Sequence, residues 1–241
     1  MRLVGAELLK VVTAYRTFLG IVLAQTAIIL LGTIVTLNDV ADDPALPEGV
    51  ERDLVGIAST SLLFTTLLGV LIATTEYRHG TITLTFLATP IRERVLVAKT
   101  VAALIGSVLL VLPALLISVG IGALWIGGKE GFDFGGDEWE LVGRLFLASA
   151  MVSLIGFFVG ATLTRQLGAI ILILGWLFFA EPALAGLEPE TEDYLAGPSL
   201  GGVLGGDESA TSFSSSLPVL TAYVVALGAL ATYLTRRRDI T

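Results

Sequence analysis

Charged residues in this chain come in clumps, and the distances between clumps set the first expectation. No Asp, Glu, Lys or Arg falls between Arg16 and Asp39, Asp53 and Glu76, Lys99 and Lys129, Arg144 and Arg165, or Glu208 and Arg236. A charge at the bilayer centre costs about 2.5–3.5 kcal/mol and about 20 apolar residues cross the hydrocarbon, so each gap predicts one membrane span. A sixth run, Gln166 to Ala180, reaches only ~22 Å as a helix against a core of ~30 Å. It crosses only by taking in Glu181 and running on to Leu187. The expected spans are therefore about 17–38, 54–75, 95–126, 143–164, 166–187 interrupted at Glu181, and 214–235. The fold class is all-α integral membrane, a single domain over 1–241 with six transmembrane helices.

Composition agrees with the pattern. Of the 241 residues, 54% are hydrophobic and 15% charged, and the mean hydropathy is +0.87. Ordinary soluble domains are about 25% charged. There is no cysteine, which excludes thiolate metal sites and cysteine nucleophiles, and one histidine leaves little room for other metal chemistry.

Charge orients the bundle. Six crossings put both termini on one side, where eleven Lys and Arg residues face four acids (Glu7, Glu76, Glu93 and Asp239). The other side has Arg52, Lys129 and Arg144 against the remaining eighteen acids. The positive-inside rule makes the termini cytoplasmic. The acidic pI of 4.6 then describes outer loops such as NDVADDPALPEGVERD and GGKEGFDFGGDEWE, which read as solvated and match no calcium loop.

Ahead of span one, Leu3, Leu8, Val11, Val12 and Tyr15 recur at spacings of about three and four, with Arg2, Glu7, Lys10 and Arg16 elsewhere on the helix. That predicts an N-terminal amphipathic surface helix over about 3–15; an extension of span one by three turns is the alternative. A cleaved signal peptide fits poorly, because the uncharged run from Thr17 to Asn38 exceeds an h-region and no A-x-A follows it. Pro113 inside the long third run predicts a tilted or kinked helix projecting past the bilayer. Gly156 and Gly160 form a G-x-x-x-G that permits close helix approach.

Chemistry is sparse. The nearest sequence to a P-loop, IGGKEG at 126–131, has Glu130 where Ser or Thr is needed and lies on the outer side. No aspartate lies inside a span, and the only ionisable residue at membrane depth is Glu181, a charge on a pathway or a helix end at the interface. The chain is therefore not expected to be an enzyme, with no catalytic residues, no metal and no cofactor of its own, and any energy source belongs to another chain.

The one sizeable cytoplasmic loop is EYRHGTITLTFLATPIRERVLVAK, from Glu76 to Lys99. Gly80 supplies a turn, and Ile82, Phe86 and Leu87 at helix-like offsets predict a short amphipathic segment. Thr89 and Pro90 read as N-cap and first residue of span three. A docking surface for a cytoplasmic partner and an ordinary positive-inside loop on lipid head groups both fit.

The order Glu76, Gly80-Thr81, Thr89-Pro90, Arg92 and Lys99 resembles the hallmark loop of the ABC type-2 transporter permease family. AELLKVVTAYRT at 6–17 resembles the family's N-terminal connecting helix, EPALAGLEPETEDYLAGP at 181–198 its segment after span five, and RRRDIT its tail. The resemblance implies the permease subunit of an ATP-driven exporter in a prokaryotic plasma membrane, working by alternating access. Its partners would be two cytoplasmic P-loop ATPase subunits, which carry ATP and Mg, and a second permease chain, identical or related. No nucleic acid is expected. Glu76, Arg78, Gly80, Thr81, Thr89, Pro90 and Arg92 are carried over as the turn, caps and charges of the ATPase contact, with His79 and Arg94 added from charge and position. Short extracellular helices or a re-entrant segment between spans five and six follow from the same resemblance. The rival reading is a non-transport scaffold or assembly factor docking its partner through the 76–94 loop.

Overall fold

The computed structural model describes residues 4–7, 15–41, 46–89, 91–129, 131–205 and 212–237. Among these the chain is all-helical, and six helices are long and apolar enough to cross a membrane. Span one is Tyr15–Ala41 and span three Arg92–Ile126. Span four is Gly136–Leu163, span five runs through Gln166–Leu187, and span six is Phe213–Arg237. Residues 4–7 are helical, while the rest of the expected surface helix ahead of Tyr15 lies outside the described residues.

Helix ends overshoot the charge-free runs. Span four starts at Gly136 rather than near 143, because a helix leaving the hydrocarbon can carry charge. Glu138 in its first turn accepts the Gly135 N–H at 2.9 Å, satisfying one of the four donors a helix start leaves open. Span three runs unbroken for 35 residues through Pro113, ~52 Å of helix, and so projects past a ~30 Å core.

Span two is two helices, Val50–Ala58 and Ser61–Arg78, where the sequence predicts one. At the break Ser59 Oγ donates to the Gly56 carbonyl at 2.6 Å, and the Ser59 N–H is shared between the Val55 and Gly56 carbonyls. A serine hydroxyl that competes for backbone carbonyls in this way interrupts the ladder.

Span five keeps its helix past Glu181, which corrects the expected interruption there. The irregular turn comes one turn earlier, as a π-helical stretch over Trp176–Ala180, and α-helix resumes over Glu181–Leu187. Pro182 has no N–H and its ring crowds the preceding turn, and the wider π turn just before it accommodates both defects. Beyond it, a 3-10 turn at Pro189–Tyr194 and a helix at Ala196–Leu204 supply the short helices expected between spans five and six.

Spans two and four form the centre. In lipid, helix association relies on close backbone approach and interhelical hydrogen bonds. A Cβ on Gly69 would lie 2.2 Å from the Ser153 carbonyl oxygen, one on Gly156 2.1 Å from that of Thr66, and one on Gly160 2.9 Å from the Ala73 Cβ. The G-x-x-x-G of span four thus meets span two, and Gly69 answers it from the other side. Span three is tied in by Ser153 Oγ donating to the Ala103 carbonyl at 3.0 Å, and span one by Gln25 Nε2 donating to the Leu110 carbonyl at 2.7 Å. The central window of span two is 67% buried, against 11% for spans five and six, whose exposed Leu167, Ile171, Phe179 and Val225 suit lipid.

Gly156→Leu should force spans two and four apart and lower the apparent Tm in detergent, in line with an overpacking cost of about 1–3 kcal/mol or more. Gly143→Leu, at a span-four position where a Cβ meets nothing, should leave it unchanged.

Candidate functional site

The 76–94 region sits where span two ends, at the end of the bundle that gathers the basic residues. The last turn of span two closes with the Thr81 N–H on the Glu76 carbonyl at 3.0 Å and the Gly80 N–H on that of Tyr77 at 3.3 Å. These are the two bonds of a Schellman cap, and it requires a left-handed residue between them. Gly80, at φ 68°, supplies it. The chain then folds into the short helix Ile82–Ala88.

Only Ile82 of that helix is buried. Phe86 is half-buried, and Leu84 and Leu87 stand 66% and 75% exposed. The inward face is Ile82, Thr85 and Phe86, at offsets three and four. Leu87, which the sequence reading grouped with Ile82 and Phe86, points outward with Leu84.

Thr89 does not cap the start of span three. Thr89 closes the short helix, its N–H on the Thr85 carbonyl at 2.9 Å, with φ −136° and ψ 89°, the extended form that a following proline favours. The N-cap of span three is Ile91, and Pro90 lies outside the described residues.

Behind the short helix is a cluster of charges that the loop pattern did not reveal. Lys99 Nζ lies 2.7 Å from Glu76 Oε2 and 2.9 Å from Glu7 Oε2, and it donates to the Ile72 carbonyl at 3.3 Å. Thr85 Oγ1 donates to the other Glu76 oxygen at 2.7 Å. Glu7, Glu76 and Lys99 are all buried, at 2%, 6% and 6% exposure. Burying charge is costly unless it is paired, and here both carboxylates lie at ion-pair distance from the ammonium, with Thr85 and the Ile72 carbonyl adding hydrogen bonds. Its sequence sign is a lysine at the edge of the third charge-free run, with an acid at the end of the preceding one.

Arg92, expected to face a partner, turns inward. Its Nη1 donates to the Thr235 carbonyl near the end of span six at 3.2 Å, and its guanidinium sits 5.6 Å from the Phe86 ring centre. Beside it Glu93 pairs with Arg236 at 2.8 Å. Of the remaining expected residues, Arg78 donates to Gln166 Oε1 at 3.1 Å, and His79 Nδ1 lies 2.8 Å from the Thr75 carbonyl oxygen. Arg78, His79, Thr81 and Arg94 are exposed around the short helix. The structure therefore splits the predicted residues into an inward set, Glu76 and Arg92, and an outward set around Leu84 and Leu87.

Glu181 belongs to the opposite end. It is 3% exposed and accepts from Trp176 Nε1 at 2.6 Å, the Ala196 N–H at 3.1 Å and the Gly197 N–H at 2.8 Å. The latter two donors open the helix Ala196–Leu204, so the carboxylate caps a helix it is distant from in sequence. It fastens the folded-back segment to span five, and Tyr223 of span six adds a bond from its hydroxyl to the Tyr194 carbonyl at 3.1 Å. Among the described residues no three His, Asp or Glu side chains gather as a metal site.

The architecture and these two ends define a multi-pass helical membrane protein. No protein-family model matches the chain, and no curated protein matches it in sequence.

Glu181→Gln keeps the shape but turns an NH2 toward backbone or indole donors that now meet a carboxylate oxygen. An unsatisfied buried group costs about 1–3 kcal/mol, and the apparent Tm should fall accordingly. Gly197→Ala, whose Cβ would lie 2.5 Å from Glu181 Oε2, should lower it as well.

Proposed function

We propose that this chain is the membrane-spanning permease subunit of an ATP-driven exporter of the ABC type-2 kind, and that Ile82–Ala88 is where its ATPase docks. The observation that carries the reading is the short helix itself. It lies outside the spans at the basic end, presents Leu84 and Leu87 to solvent, and is fixed from behind by Glu76 and Arg92. An exposed apolar pair on a rigid mount is what a docking contact needs, since little ordering remains to be done on binding. The basic end is cytoplasmic on this reading, in keeping with the positive-inside rule.

The order of motifs that resembles the permease family supports the same assignment. The partners are two P-loop ATPase subunits, which bind ATP and Mg, and a second permease chain, identical or related. Nucleotide closure of the ATPases moves the short helices, and spans two and three carry that movement into the bundle, so that a path between the permease halves alternates its access. Arg78, His79, Thr81 and Arg94 form the charged and polar rim of the contact, whereas Arg92 and Glu76 hold the helix from within. The membrane is the plasma membrane of a prokaryote.

The test is purification from native membranes in mild detergent, with co-purifying chains identified by mass spectrometry. A stoichiometric P-loop ATPase is expected with the parent chain. Leu84→Glu/Leu87→Glu should weaken its capture by about 2–4 kcal/mol, roughly 30- to 1,000-fold in Kd, while the permease stays monodisperse. An intact permease that repeatedly brings down no ATPase would sink the reading and favour a scaffold.

A further inference from the structure

The short helix has seven residues and one buried side chain. An isolated helix of that length is not stable in water, so polar ties must position it. One is Phe86 against Arg92. Another is Thr85 on Glu76, and Glu76 is itself paired with Lys99.

Lys99 occupies an unusual position in this arrangement. An ammonium has three N–H donors. Here one is given to the Ile72 carbonyl of span two, and the ammonium lies at ion-pair distance from Glu76 on the last turn of span two and Glu7 on the N-terminal helical segment. Both buried carboxylates thus lie within ion-pair distance of the same cation, which offsets the repulsion between their like charges.

The geometry points to Lys99 as a positioning residue, a strut on span three that fastens the N-terminal segment through Glu7 and the short helix through Glu76 and Thr85. The two cytoplasmic elements are then referenced to one atom and move as one body with spans two and three. A load placed on the short helix reaches the N-terminal segment through Lys99. The purpose assigned to the strut rests on the docking reading above; its existence does not.

The experiment uses the purified chain without a partner, so its outcome is independent of ATPase capture. The chain has no cysteine, which makes a single introduced one a unique label site. Spin labels are placed at Ala6→Cys and, separately, Thr83→Cys, both exposed positions. Glu7→Gln should shift the residue-6 spectrum toward its mobile component and leave the residue-83 spectrum unchanged. Thr85→Val should do the reverse. Lys99→Met should mobilise both labels, and Lys99→Arg, which keeps a cation, should restore both.

A general loss of stability would move the two labels together in every variant. If Glu7→Gln and Thr85→Val each shift both labels alike, or neither, the strut is refuted. That pair decides the matter even where Lys99→Met fails to fold.

Discussion

Apolar side chains gain little by leaving lipid for a neighbouring helix, so the bundle depends on places where backbones touch. The seam between spans two and four is that place. Gly69, Gly156 and Gly160 bring the two helices close enough that a Cβ at any of them would overlap the facing helix. Span three is bonded to this pair by Ser153 to the Ala103 carbonyl and Ser118 to the Leu54 carbonyl, and span one is bonded in turn to span three by Gln25 to the Leu110 carbonyl. The peripheral spans are free to present leucine, isoleucine and phenylalanine to the bilayer because the centre does not need them.

The polar residues follow the same economy at both ends. At the basic end one ammonium serves two carboxylates and a carbonyl, and one arginine serves a helix terminus and an aromatic face. At the acidic end Glu181 serves three N–H donors, and the loop after span three is tied down by Lys129 on the Val40 carbonyl and by the Asp133 N–H on Glu51. Buried charge in both places is spent on connecting elements far apart in sequence. Among the described residues, the exposed face of Ile82–Ala88, with Ile91 just beyond it, is where apolar side chains stand outside the spans at the basic end.

Much of the fold was legible because a membrane imposes a one-dimensional rule. Charge is excluded over about 20 residues, and the gaps in the charge pattern located the spans without any knowledge of their packing. Errors arose where that rule is silent. Charge-free runs mark the hydrocarbon alone, so Gly136 and Arg92 begin their helices earlier than the runs suggested. The break at Ser59 and the π turn at Trp176–Ala180 are choices between backbone bonding patterns of similar cost, and hydropathy does not distinguish them. Thr89-Pro90 carried a plausible helix-start pattern, yet the short helix used Thr89 for its own end.

The sequence by itself determined that this chain is helical, crosses a membrane six times, and carries most of its basic residues at one end, because each of these follows from local composition against a fixed solvent. Gly80 could also be read locally, as a turn demanding a left-handed residue. Only the tertiary structure decided which charges meet. Glu7, Glu76 and Lys99 are separated by long stretches of chain, as are Arg92 and Thr235, and Glu181 and Gly197 stand on different helices. A buried ion finds its partner in three dimensions under the penalty for remaining unpaired, and that penalty leaves no spacing in the sequence to be read.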